Sequence, residues 1–238
     1  MKKNFIGEKM KAVIDTGTMI TLSGTCLMNV FKSFVKTNHI ELMISSTVAQ
    51  ESVWKPLYNK RFALSAARIK YAMSEQTIKT IPITPEISTG MQRILQLSNN
   101  IYFTSDGPLK IIQAGEAEAL ALARVQGAKA LFIDERTTRS LIENPQRLKQ
   151  VLERRQEQPV TINEQNLNAI RNMFPNLKMF RSVDVIAFAY EQGLFDHELA
   201  HGKLELEAAL WAAKFAGCAV SEREIDEFLN NRDFKEQK

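Results

Sequence analysis

Five carboxylates stand where apolar runs give way to helical patterns. Asp15 follows AVI, Glu51 lies within two turns of the helix that begins after LMIS, and Glu116 and Glu118 open GEAEALALA. Asp134 follows LFI, with Glu135 beside it. Acids converging on one edge repel one another and resist joint ionisation unless a divalent cation sits among them. With oxygen ligands and no nearby His or Cys, the hard ions Mg²⁺ or Mn²⁺ are favoured over zinc. Each acid alone has an ordinary explanation. Asp15 can cap a loop, Glu116 and Glu118 can be favourable charges at a helix start, and Asp134 with Glu135 can cap the next helix. Their joint placement at strand ends favours the metal site. Residues two apart in a helix point to nearly opposite sides, so Glu116 and Glu118 share a site only if Glu116 belongs to the turn before the helix. Gly115 allows that.

The elements that must position these acids follow from hydrophobic periodicity. KMKAVID, HIELMISS, IKTIPI, AKALFID and LKMF read as strands. HIELMISS ends at serines able to cap a helix, and Pro85 suits a helix's first turn. Helical patterns run through STVAQESVW, RFALSAARIKYAMSEQ, GEAEALALARVQG, a polar stretch over about 137–156, SVDVIAFAYEQGLF and KLELEAALWAAKFAG. Ser221 and Glu224 form a capping box, and Asp106 and Asp184 read as caps at helix starts. Strands alternating with helices imply an α/β fold, a three-layer α/β/α arrangement around a central parallel sheet with a helical C-terminal extension. Active sites of such sheets lie beyond the carboxyl ends of the strands. The expected organisation is a domain over 9–195 with a helical insertion at about 144–176, and helices over 196–238 packed on it.

The 238 residues are enough for one full α/β domain with a sizeable core. With 45% hydrophobic and 24% charged residues the chain reads as globular. Cys26 and Cys218 lie far apart in apolar segments, which suggests two buried thiols and a cytoplasmic setting. The amino terminus reads as neither a signal peptide nor a lipid anchor. No apolar stretch approaches the roughly 20 residues of a membrane span. The net charge of +4 and pI near 9.0 are mildly basic. Residues 55–70 carry Lys55, Lys60, Arg61, Arg68 and Lys70 with no acid, and 146–156 carry Arg147, Lys149, Arg154 and Arg155. Each run alone reads as a solvated helix face; facing an acid-lined site, the pair suits a polyanion held at its phosphates.

Two other motifs compete for the chemistry. Asp-Thr-Gly-Thr at 15–18 is how one half of an aspartic protease begins, but that chemistry needs two such aspartates in an all-β framework. His197-Glu198-x-x-His201 has the spacing of a zinc site with a glutamate base, which makes a zinc metallopeptidase the alternative reading. Gly202 suggests that the helix stops there, and no third ligand stands out, with Glu205, Glu207 and Glu222 as candidates. A non-catalytic RNA-binding module of the same fold is a further alternative; every expected acid is nevertheless in place.

The blocks AVIDTGTMI, ISSTVAQES, GEAEALALARVQGAKALFIDE and, more weakly, MFRSVDVIAFAYEQGLF resemble the PIN-domain ribonucleases in type and order. They cover about 11–143 and 177–195. The third block is also similar to flap-endonuclease-like relatives. The resemblance implies metal ligation by Asp15, Glu118 and Asp134, with Glu51 and Glu116 as further ligands or water-bridged partners and Glu135 beside them. Thr16 matches a supporting polar position, and Gly17 stands where the family often has Asn or Ser.

What the resemblance implies is a Mg²⁺- or Mn²⁺-dependent ribonuclease hydrolysing RNA phosphodiester bonds, on single-stranded or loop regions. Glu51 is a candidate for taking the attacking water's proton, and Lys55, Arg61 and Arg136 for holding flanking phosphates. RNA is the implied partner and no membrane is. A homodimer is compatible with the family, and a protein antitoxin is not indicated by the sequence.

Overall fold

The computed structural model describes residues 9–195 and 199–230. The first half of the chain forms β1 (Met10–Ile14), α1 (Thr16–Gly24), α2 (Met28–Thr37), β2 (Ile40–Ser45) and α3 (Ser46–Ala49). A π-helical turn (Gln50–Trp54) and a 3-10 turn (Pro56–Tyr58) continue α3. Then come α4 (Ala63–Ser74), β3 (Ile78–Ile81), α5 (Pro85–Ser98), β4 (Tyr102–Thr104) and β5 (Gly107–Pro108). The second half forms α6 (Ala114–Gln126), β6 (Ala130–Phe132), α7 (Arg136–Glu143), α8 (Pro145–Gln156), β7 (Thr161–Ile162) and α9 (Glu164–Met173). Finally come β8 (Lys178–Phe180), α10 (Ser182–Glu191), α11 (Lys203–Phe215) and α12 (Glu222–Asn230).

Five strands make one parallel sheet in the order β3-β2-β1-β6-β8. The chain steps outward from β1 through β2 to β3, then crosses back to place β6 on the other side of β1. The strand order therefore reverses between β1 and β6, where Ile14 pairs with Phe132. In open parallel sheets this reversal leaves a crevice beyond the strand ends, because the flanking helices depart to opposite faces.

Strand side chains alternate between the two faces, and the two cores sort accordingly. Ala12, Ile14, Leu42, Ile44, Ala130 and Phe132 pack with the helices of one face, α1 to α4 and α10 to α12. Val13, Met43, Leu131, Ile133 and Met179 pack with α5 to α9 on the other. The expected three-layer α/β/α arrangement is therefore present. Leu206 and Leu210 of α11 and Ile225 and Leu229 of α12 belong to the first core. The two C-terminal helices thus share the core of that face. No described helix is long and apolar enough to cross a membrane.

Several local expectations need correction. The single helix expected over about 137–156 is two, because Pro145 steers the preceding residue out of the helical region. Asn144 sits at φ −148°, ψ 72°, and its side chain accepts the Arg147 N–H at 3.1 Å. β4, β5 and β7 form a second, antiparallel sheet that the sequence reading did not contain. Its strands have only two or three residues, too short for a period to show. Asp106 lies between β4 and β5 rather than at a helix start, and accepts a bond from Gln158 Nε2 at 2.9 Å. Cys26 is exposed at φ 63° between α1 and α2; only Cys218 is buried, and both are free thiols. Asp184 does cap α10, accepting the Arg181 N–H at 2.8 Å, and Ser221 and Glu224 form the expected reciprocal pair.

Candidate active site

The carboxyl ends of four adjacent strands each present a small polar or acidic residue. Ser45 ends β2, Asp15 follows β1, Asp134 lies two residues past β6 and Ser182 two past β8. Asp15 and Asp134 flank the crevice where the strand order reverses.

Asp15 is the N-cap of α1. Its extended backbone (φ −78°, ψ 156°) lets Oδ2 accept the Gly17 N–H at 3.0 Å, while its own N–H donates to Phe132 O at 2.9 Å. A Cβ at position 17 would lie 3.2 Å from Oδ2 and crowd that carboxylate, which favours glycine. Burial raises the Asp15 pKa from 3.8 to about 6. The Gly17 N–H opposes that rise, and the charges of Glu116 and Asp134 add to it. Three acids from β1, α6 and β6 thus act in one electrostatic field. Thr16 is the first residue of α1, and its N–H also favours the ionised Asp15.

Asp134 is buried, and Ser182 engages both its oxygens. Oδ1 accepts the Ser182 N–H at 2.7 Å and Oδ2 its hydroxyl at 2.6 Å. The Asp134 carbonyl accepts the Ala219 N–H at 3.2 Å, which ties the link between α11 and α12 to the site. Cys218 lies against the same carboxylate. Burial pushes its thiol well above the ordinary range, and the charge and hydrogen bond of Asp134 add to that.

Glu118 is buried, and its Oε1 accepts the hydroxyl of Ser45. Ser45 Oγ also accepts the Val48 N–H at 3.0 Å as the cap of α3, so one hydroxyl joins β2, α3 and α6. Helix α6 begins at Ala114, not after Glu116 as the site-sharing argument required. Glu116 stands at its third position and reaches back to accept the Gln113 N–H at 2.8 Å. That bond to the Gln113 N–H draws Gly115 and Glu116 into the helix. Glu118 and Glu116 consequently point to different sides, one to Ser45 and one to the helix start.

Glu135 caps α7, accepting the N–H groups of Thr137 at 2.8 Å and Thr138 at 2.6 Å, one on each oxygen. Glu51 is exposed on the π-helical turn, a rare geometry that recurs at functional sites. Lys55, Arg61 and Arg136 are exposed, with the Arg61 guanidinium 5.3 Å from the Phe62 ring centre.

The donor set of Asp15, Glu116, Glu118 and Asp134 is all oxygen, which matches a hard divalent cation. Each carboxylate oxygen has two acceptor positions, so the hydrogen bonds described leave capacity for an ion. Among the described residues no three His, Cys, Asp or Glu are grouped so as to grip one as they stand. At least one oxygen of each of the four acids is held by a donor of the protein's own.

The structure adds Ser45, Ser182 and Cys218 to the residues expected from sequence. Ser45 and Ser182 share the signal of a small hydroxyl at the end of a buried strand; Cys218 carries none, since it reaches Asp134 only through the packing of α11 and α12. A larger cavity of about 600 Å³, lined by Lys9, Lys32, Lys36 and Glu75 among others, lies at the opposite edge, where β1, β2 and β3 begin. It has no part in the carboxylate site.

Of the peptidase motif, His197 and Glu198 lie outside the described residues. His201 is outside any helix, stacked on Tyr190 with ring centres 4.1 Å apart, and Gly202 is the N-cap of α11. No protein-family model, curated protein or solved structure matches this chain.

Proposed function

We propose that the protein is a divalent-metal-dependent ribonuclease of the PIN type, hydrolysing RNA phosphodiester bonds at the crevice between β1 and β6. The observation that carries this reading is Asp15 at the crevice where the strand order reverses, lifted to about 6 by burial first, with the charges of Glu116 and Asp134 adding to the rise. Such a cost is tolerated where function needs it, and strongly perturbed acids in a crevice mark functional sites.

Asp15, Glu118 and Asp134 would hold the metal, with Glu116 adding to the negative field. Bound Mg²⁺ or Mn²⁺ supplies Lewis acidity toward the phosphate and lowers the pKa of water. The protein's own share is orientation. Ser182 fixes the Asp134 carboxylate in plane, Ser45 fixes Glu118, and the Gly17 N–H fixes Asp15. Glu51, exposed and outside these caps, is the group left to accept a proton from water. Lys55, Arg61 and Arg136 are exposed cations suited to flanking phosphates. A cytoplasmic setting accords with two free thiols.

The test is cleavage of single-stranded RNA in Mn²⁺, Mg²⁺, Zn²⁺ or EDTA by the parent and by Asp15→Asn. Metal-dependent cleavage lost in Asp15→Asn is the expected result. Cleavage undiminished in Asp15→Asn, or RNA binding without cleavage under any metal, overturns it; the second outcome leaves an RNA-binding module.

A further inference from the structure

Beside the carboxylate crevice is a cavity of about 180 Å³ where α7 and α8 meet the start of α12. Arg136, Arg139 and Arg147 line it, with Glu143, Ser221 and Glu224. Its charge is unevenly compensated. Glu224 already spends Oε2 on Ser221 and Oε1 on Arg181 at 2.8 Å. Glu143 approaches Arg139 only to 3.6 Å, longer than a hydrogen bond. Arg136 and Arg147 are exposed at the rim and make no ion pair among the described residues.

Arg139 is the telling member. Its side chain is only 15% exposed, and burial followed by the like charge of Arg181 pulls its guanidinium below the ordinary range. Asp184, Glu143 and Glu224 attract this largely buried cation in part, but no carboxylate among the described residues comes within hydrogen-bond distance of it, and an anion in the cavity it lines would satisfy it. Guanidinium forks match phosphate oxygens two at a time. The volume falls below the roughly 300 Å³ at which pockets begin to take drug-sized ligands, so it suits a phosphate group rather than a whole nucleotide.

We propose that this cavity binds a phosphate monoester, the terminal phosphate of the RNA strand whose scissile bond lies at the carboxylates. Its position supports that source. Arg136 follows Asp134 by two residues, and Ser221 follows by two the Ala219 N–H bonded to the Asp134 carbonyl. A cavity this small suits a phosphate with one attachment, and within an RNA strand only a chain end carries one. The anion site stands on the arginines and the cavity, while the assignment to an RNA end rests on the ribonuclease reading.

The experiment uses full-length Asp15→Asn protein in EDTA, so that binding is measured without cleavage. The probes are inorganic phosphate and one short single-stranded RNA with a 5′-phosphate, a 3′-phosphate or hydroxyls at both ends. One phosphorylated end is expected to bind about tenfold tighter than the hydroxyl-ended strand, the scale of one charge-assisted contact. In Arg139→Gln and Arg147→Gln that ratio should fall toward one; Arg147 is exposed, so its variant stays informative if Arg139→Gln fails to fold. Inorganic phosphate should compete with the preferred end. Phosphate binding that depends on Arg139 and Arg147 without any end preference supports the anion site but overturns the RNA-end assignment. No phosphate binding and no end preference overturns both. An end preference in a protein that cuts no RNA with any metal retains the site and removes the ribonuclease reading.

Discussion

Ser182 engages both carboxylate oxygens of Asp134, its N–H on Oδ1 at 2.7 Å and its hydroxyl on Oδ2 at 2.6 Å. The two residues are 48 apart in sequence, each two residues past the end of one of two neighbouring strands, β6 and β8, and the pair is buried. The serine fixes the plane of an acid that reads as a metal ligand. Ser182→Ala removes one bond and leaves an oxygen of a buried charge without its donor. Such a loss costs about 1 to 3 kcal/mol of stability. Where the partner of a ligand is removed, metal affinity or activity falls roughly 10- to 100-fold. Titrating Mn²⁺ against RNA cleavage should show the mutant needing more metal while Ser182→Thr retains most of the activity. A melting loss with an unchanged metal requirement would assign the serine a packing role only.

Ser45 makes the second such pair, donating to Glu118 while capping α3 through the Val48 N–H. Ser45→Ala therefore removes a helix cap and the partner of a buried acid together. The cap alone is worth about 1 kcal/mol and the orphaned acid about 1 to 3 kcal/mol. The expected stability loss lies toward the upper end of that range, measured by denaturant unfolding. In a Glu118→Met background, which offers no oxygen to the Ser45 hydroxyl, the further loss from Ser45→Ala should shrink to that of the cap. Full additivity of the two substitutions would show that the pair is not coupled.

The strands that carry the acids were legible because each is a buried apolar run bounded by polar turns. The two-core layering follows from the alternation of residues such as Ala12 and Val13. The acids' roles were less legible. That Glu116 and Glu135 serve helix ends depends on where α6 and α7 begin, and a boundary shift of one residue exchanges a ligand for a cap. The approach of Ser182 and Cys218 to Asp134 depends on strand order and on the docking of α11 and α12, which no local pattern encodes. The β4-β5-β7 sheet was missed because its strands are shorter than one readable period.

Asp15 makes stability depend on pH in a stated direction. Its pKa is raised from 3.8 to about 6, so the folded state holds this proton more tightly than the unfolded chain. Ionisation therefore erodes stability as pH rises above 3.8, and the loss is complete above about 6. Asp15→Asn keeps an acceptor for the Gly17 N–H and removes the charge. Without metal and above that window it should be more stable than the parent by on the order of 1 kcal/mol, after allowance for partial exposure, or about 2 to 4 °C in Tm. Added Mn²⁺ should raise the parent's Tm more than the variant's. Equal melting of both proteins above the window, with neither responding to metal, would count against the raised Asp15 carboxyl and against the metal site together.

The ion pair of Arg181 with Glu224 gives a prediction of opposite sign. Arg181 is buried, bonded to Asp184 at 3.1 Å and to Glu224 at 2.8 Å, and it joins α10 to α12 behind the arginine cavity. Burial alone would raise the Glu224 carboxyl, but the Ser221 N–H and hydroxyl and the Arg181 guanidinium together hold it down at about 2. A depressed acid contributes stability that is full above its ordinary value of 4.5 and is lost as pH falls toward 2. The Tm gap between parent and Glu224→Gln should thus be widest near neutral pH and close between 4.5 and 2. Arg181→Ala removes the buried guanidinium that pairs with both Asp184 and Glu224 and should cost about 3 to 5 kcal/mol, more than the loss of either acid alone. Because Ala219 and Ser221 lie between this pair and Asp134, loosening α12 should also weaken RNA cleavage. A Glu224→Gln protein whose Tm gap persists unchanged down to the lowest pH would show that this carboxylate does not carry the acid limb.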